Sequence, residues 1–226
     1  MLKRKSVLII APHPDDEAIS YGGLIMLAKK QDCRIFVLYG SVGISRQLIT
    51  GQTNPDIRLD EAKKAATYGS FDYSMIFQGE EFMKLDTVPQ KTLIDAIEDK
   101  VADFKPDIVC LPFRDSFDQD HRALFTAAVT ALRPIPRNLR HQPKIILESE
   151  EPYSWTINGV FQPNFYFDIS TVMEEKIKLL KCHKTQLRQD PFPRSPANLQ
   201  RLAGLRGAEI SAKYAEAYRL LKGVWE

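Results

Sequence analysis

The chain has little cysteine, few histidines, no long apolar run and almost no net charge. Three cysteines among 226 residues cannot all pair, and Cys33, Cys110 and Cys182 lie far apart in or beside apolar segments. That excludes a disulfide-stapled scaffold and predicts buried free thiols in a reducing, cytoplasmic setting. Cys182 adjoins His183, but neighbours on a helix point about 100° apart, which argues against a nucleophile–base dyad there. The apolar run Val7–Ile10 is too short for a signal-peptide core or a bilayer span, and no other stretch does better, so no transmembrane segment is expected. A net charge of +2 without a lysine/arginine run gives no footprint for nucleic acid. No Gly-x-Gly-x-x-Gly follows the first apolar strand, and neither a Gly-x-x-x-x-Gly-Lys loop nor a Gly-x-Ser-x-Gly turn occurs. Nucleotide-dependent oxidoreductases, P-loop enzymes and nucleophile-elbow hydrolases are thereby set aside.

What is present fits one domain, residues 1–226, with a full core: 44% of residues are hydrophobic and 27% charged. Short apolar runs alternate with longer stretches of helical period. Strands are expected at 6–11, 34–39, 72–78, 108–112, 144–148 and 165–169. Helices are expected at 17–30, 58–68, 89–104, 122–132, 171–187 and 197–222, with a loop or short hairpin over 151–164. The proline-rich Pro191–Pro196 separates the last two helices. This alternation predicts an α/β fold with a mainly parallel sheet covered on both faces. In such sheets ligands bind beyond the carboxyl ends of strands, which selects the loops after Ala11 and after Leu111.

Both loops carry acids and histidine. The first reads Pro12-His13-Pro14-Asp15-Asp16-Glu17, and the second runs from Arg114 through Asp118, Asp120 and His121 to Arg122. A catalytic zinc takes three histidine or carboxylate ligands and leaves a position for water, whose pKa it lowers to about 7. His13 and Asp16, three residues apart on a proline-stiffened turn, and His121 at a helix start can face one ion. Asp15, beside a ligand yet free of the metal, is the candidate general base. The plainer alternative is helix capping, by Asp15 or Asp16 in the first cluster and by Asp120 in the second. The ligand set suits Fe²⁺ or Mn²⁺ as well as Zn²⁺.

A strand followed by Ala11-Pro-His-Pro-Asp-Asp-Glu17 and then Gly22-Gly23 resembles the signature of the PIG-L/LmbE family of zinc-dependent N-deacetylases. The likeness continues through Arg58-Leu-Asp-Glu61 with Ala65-Ala66 and Gly69, and through Asp120-His-Arg-Ala123. It extends to Lys176 with His183-Lys-Thr-Gln186, and to Arg206-Gly207 with Tyr214–Tyr218, read as the family's C-terminal helix. The resemblance implies a Rossmann-like three-layer sandwich, zinc on His13, Asp16 and His121, and Asp15 as base. It further implies removal of acetyl from an N-acetylated amino sugar or sugar conjugate, and it admits a homo-oligomer.

One departure matters. Many relatives carry His-x-Asp-His in the second motif, the first histidine assisting at the oxyanion or the leaving amine; here that position is Asp118. A carboxylate donates no hydrogen bond unless protonated, and losing such a donor costs on the order of 2.7–4 kcal/mol. Asp118 therefore stands as a candidate catalytic residue that stays neutral, is substituted by another group, or leaves a metal-binding sugar-binding protein with weakened catalysis. His183 is the candidate substitute donor and substrate-binding residue, with a buried structural histidine as the alternative. Arg58 is a candidate substrate ligand, with an ion pair to Glu61 as the alternative. His141 is expected to be exposed, and Tyr153, Trp155 and Phe161 either stack on a sugar or pack a loop.

Overall fold

The computed structural model describes residues 2–225 except 44–45, 48–50, 53, 79–83 and 154–158, with backbone alone at 46–47 and 51–52. Trp155 and residues 44–45, 48–50 and 53 of the 41–56 loop fall outside the described residues. In chain order the elements are β1 (Ser6–Ala11), α1 (Asp16–Lys30), β2 (Arg34–Tyr39), β3 (Arg46–Gln47), β4 (Gly51–Gln52), α2 (Pro55–Gly69) and β5 (Asp72–Met75). There follow α3 (Gln90–Phe104), β6 (Ile108–Leu111), α4 (Gln119–Ala131), β7 (Ile145–Ser149) and β8 (Phe165–Asp168). The chain closes with α5 (Met173–Leu180), a 3₁₀ turn (Lys184–Gln186), α6 (Pro196–Ala208) and β9 (Ala215–Gly223).

Seven strands form one sheet in the order β5-β2-β1-β6-β7-β9-β8. Pairing is parallel from β5 through β7, and β9 runs antiparallel to both β7 and β8. β1 shows why the sheet is covered on both sides: all six of its residues are buried, and alternate residues serve opposite cores. Val7, Ile9 and Ala11 join the core under α1, α2, α5 and α6, whereas Leu8 and Ile10 join the core under α3 and α4. The result is the three-layer, Rossmann-like α/β arrangement. β1 is flanked by β2 and β6, so the chain order reverses there and the ends of β1 and β6 open a crevice.

Four expectations need correction. The helix expected over 197–222 ends at Ala208, and 215–223 is a strand. A Cβ at Gly207 would stand 2.7 Å from the Ala212 carbonyl oxygen, so only glycine lets the chain fold back there. Ala-Glu-Ala-Tyr-Arg-Leu-Leu-Lys has good helix formers, but its place between β7 and β8 overrides propensity. The helix expected over 171–187 spans only Met173–Leu180, so Cys182 and His183 leave it in a turn. Cys110 is buried, while Cys33 and Cys182 are only half-buried; all three are free. His141 is half-buried rather than exposed, its Nε2 lying 2.8 Å from the Pro106 carbonyl.

β9 is tied to α5 by a buried ion pair and to α1 by two backbone amides. Glu216, on β9, accepts from Lys176 Nζ at 2.6 Å and from the Gly23 and Leu24 amides at 2.6 and 2.8 Å. Gly22 and Gly23 make the approach possible: a Cβ at Gly22 would lie 2.9 Å from Lys176 Cγ, and one at Gly23 2.5 Å from Ile169 Cγ2.

Candidate metal centre

The loop after β1 leads directly into α1, whose N-cap is Asp15, with φ at 131° and no side-chain cap bond. That backbone is uncommon for a residue with a side chain and is held from outside. The Asp15 amide donates to Glu17 Oε2 at 3.0 Å, and the His13 amide donates to Asp16 Oδ2 at 3.0 Å. The loop after β6 ends in Asp118, which caps α4 by accepting from the Asp120 amide at 2.9 Å. The cap is thus Asp118 and not Asp120.

These two turns bring His13, Asp16 and His121 together, with one ligand atom from each lying within 4.8 Å of the others. Asp16 Oδ2 is central, 3.6 Å from His13 Nδ1 and 3.4 Å from His121 Nε2. Each imidazole turns its other nitrogen to a carboxylate. His13 Nε2 lies 2.9 Å from Asp120 Oδ2, and Asp120 Oδ1 accepts from the Leu85 amide at 2.9 Å. His121 Nδ1 stands 2.6 Å from Glu151 Oε1, off-axis enough that neither atom completes a hydrogen bond among the described residues. Histidines backed by carboxylates are the usual setting of metal-ligating imidazoles, because the outer acid fixes the tautomer and raises ligand basicity.

The electrostatics agree. Burial works against protonation of His13, yet Asp120 and Asp16 push its pKa up to about 8. Burial likewise opposes charge on His121, and Asp16 and Glu151 overcome it, holding its pKa well above the ordinary value. Burial would raise Asp16, but His121 and His13 hold it well below the usual carboxylate range. The cluster is built to stabilise positive charge, and its oxygen–nitrogen donor set fits a divalent cation.

The trio opens into a cavity of about 370 Å³ that Asp15, Arg58, Asp118, Glu151, Tyr153 and Arg194 also line. Asp15 is buried at 2% exposure. Arg58 Nη2 donates to its Oδ1 at 3.2 Å, and Arg194 Nη1 to its Oδ2 at 3.0 Å. Burial pushes the Asp15 carboxyl up, Arg194 and Arg58 pull it back and Asp16 pushes it further, the net shift being upward. Arg58 also donates to the Pro14 carbonyl, and Glu61 instead accepts from Thr185, so the alternative Arg58–Glu61 pair is not formed. His183 is not among the cavity-lining residues; its Nε2 lies 2.6 Å from Glu17 Oε1, behind Asp15. Tyr153 reaches the cavity and packs edge-on against Phe117, centroids 5.0 Å apart, whereas Phe161 packs on Phe113.

Glu151 and Arg194 were not foreseen as site residues, nor was Asp120 foreseen as a partner of His13. A signal existed for Glu151: it lies just beyond the carboxyl end of β7, the strand beside β6. Arg194 sits in the proline-rich segment, and nothing local marks it.

Comparison with known proteins adds the following. The family model described as GlcNAc-PI de-N-acetylase (PIG-L) matches residues 8–132. The diacetylchitobiose deacetylase of Thermococcus kodakarensis is 27% identical over 98% of this chain and 85% of its own length. A probable N-acetyl-alpha-D-glucosaminyl L-malate deacetylase 2 of Bacillus cereus is 27% identical over 80% of this chain and 84% of its own. Among solved structures, the 4-carboxy-2-hydroxymuconate hydratase GalB of Pseudomonas putida superposes with a TM-score of 0.77 at 17% identity, covering 98% of each chain. That likeness concerns the fold, not the reaction.

Proposed function

Since the chain belongs to the PIG-L (GlcNAc-PI de-N-acetylase) family, we propose that it is a metal-dependent hydrolase, zinc being the favoured ion, that removes acetyl from the amide nitrogen of an N-acetylated amino sugar or related small amide. The observation that carries this reading is the meeting of His13, Asp16 and His121, each imidazole backed by its own carboxylate. Two relatives named as deacetylases of N-acetyl sugars support it. His13, Asp16 and His121 would hold the ion, which when bound supplies Lewis acidity to the amide carbonyl and to a neighbouring water.

The chain's own residues do the remainder. Asp15, buried and pushed upward in pKa, is the candidate to take a proton inside the cavity. Arg58 and Arg194 fix both of its oxygens, which sets the direction from which a proton can reach it. Asp118 faces the cavity but has one oxygen committed to the cap of α4, so as a carboxylate it accepts rather than donates. The burial of His183 against Glu17 favours a supporting role there over direct contact with substrate. No helix among the described residues is long and apolar enough to cross a membrane, and the substrate is taken to be a small molecule.

The test is acetate release by zinc-loaded protein across a panel of N-acetyl sugars and their conjugates, with and without chelator. Chelator-sensitive release is expected; a full complement of metal with no release from any member would refute the hydrolase reading. The acceptor-only character of Asp118 favours one second reading, a metal-bearing sugar-binding protein with weakened catalysis. Replacing Asp118→His decides between them. A natural protein as fast as the variant eliminates the weakened-site reading, whereas a gain of about 100-fold, the size of a restored oxyanion donor, supports it.

A further inference from the structure

The proline-rich segment between α5 and α6 has no part in the fold's core, yet it sends an arginine to the candidate base. Arg194 lines the cavity, and its Nη1 reaches Asp15 Oδ2 at 3.0 Å across 179 residues of sequence. The segment is firmly held. Ser195 caps α6 by accepting from the Asn198 amide at 3.2 Å, and the Asn198 side chain donates to the Pro191 and Phe192 carbonyls at 2.8 and 2.9 Å. Arg194 is therefore presented by a braced turn.

Its donors are not all used. Arg194 Nε is shielded from solvent and has no hydrogen-bond partner among the described residues. Donors left in this condition are unusual in a finished structure. At the same time each oxygen of Asp15 accepts from one guanidinium, so the carboxyl group is free to reorient only when one of them turns aside. Arg58 is not free to do so, because it is 4% exposed and also holds the Pro14 carbonyl. The Arg194 side chain is 23% exposed and, among the described residues, is held only by its bond to Asp15.

We propose that Arg194 is a substrate-sensing positioning residue: in the empty cavity it holds Asp15 in place, and on binding it turns a donor to a hydroxyl or ring oxygen of the amino sugar. The residue thereby couples occupation of the cavity to release of an Asp15 oxygen. The inference rests on the hydrolase reading for its catalytic half, but its binding half stands apart from turnover.

The experiment compares wild type, Arg194→Ala and Arg194→Lys as zinc-loaded proteins, with N,N′-diacetylchitobiose as the turnover probe and glucosamine as the calorimetric ligand. Metal content and Tm are measured alongside. In Arg194→Ala, kcat is expected to fall about 100-fold, the size of effect expected when a reacting group is misplaced by an ångström. Arg194→Lys keeps a cation beside Asp15 but cannot offer Nε and Nη1 together. It is expected to retain kcat within a few-fold and to raise KM about tenfold, the size of one hydrogen bond to a charged donor. Glucosamine should bind about tenfold more weakly to both variants.

Unchanged kinetics and binding would overturn the proposal, as would a parallel fall of kcat, metal content and Tm in both variants, which marks a structural role. Arginine-dependent glucosamine binding without hydrolysis by wild type would remove the hydrolase reading and leave the binding role of Arg194 standing. Wild-type protein that neither hydrolyses the one nor binds the other would end both.

Discussion

Replacing Lys176 by Met should destabilise the protein by about 3 kcal/mol, toward the lower end of the cost of breaking a buried pair. Lys176 and Glu216 are 4% and 5% exposed and meet at 2.6 Å. Methionine keeps most of the aliphatic stem that lies against Gly22 and removes the ammonium group. Two partners are then stranded: the Glu216 carboxylate, and the Ile19 carbonyl that accepts from Lys176 at 2.8 Å. The carboxylate is not wholly abandoned, since the Gly23 and Leu24 amides and the Tyr218 hydroxyl still donate to it at 2.6, 2.8 and 2.7 Å. For that reason the lower end of the range applies. In a chain of this size the change corresponds to a Tm lowered by about 6–12 °C. Urea denaturation of wild type, Lys176→Met, Glu216→Gln and the double variant gives the coupling directly. A Lys176→Met cost under about 1 kcal/mol, or singles whose costs simply add, would refute the reasoning, because both outcomes mean the two groups are solvated.

Three further outcomes follow from the site. Glu151→Gln removes the charge behind His121 and is expected to weaken zinc binding about 10- to 100-fold in chelator competition; unchanged affinity would make that contact incidental. Gly43→Ala should do the same through His13, since Gly43 has φ 65° and a Cβ there would come within 2.5 Å of the imidazole Cδ2. The retained affinity of an alanine variant would show that the ring can move without cost. Asp118→Ala removes the α4 cap and should lower stability by about 1 kcal/mol in denaturant; a variant as stable as wild type would show the cap to be dispensable.

The fold was legible where burial is two-sided. β1 reads as an unbroken apolar run because both faces are covered, and Pro12 ends it, so the crevice beyond it could be located without coordinates. The close approach of His13, Asp16 and His121 was legible for the same reason: both loops leave adjacent strand ends. β9 was not, because its residues favour helix on local grounds and only the neighbouring strands decide otherwise. The partners of the site were harder still. Glu151 and Arg194 are single charged residues in irregular segments, and their value comes from His121 and Asp15 lying far away in sequence. Asp118 shows the opposite case, a residue marked for chemistry by its position in a motif whose first visible task is to cap a helix.

The most direct measurement is calorimetric titration of zinc into chelator-stripped protein, alongside the His121→Ala variant. One tight site per chain is predicted, lost when the imidazole from the second loop is removed. Failure of the stripped protein to bind zinc, or undiminished binding by His121→Ala, would contradict a centre shared between the ends of β1 and β6.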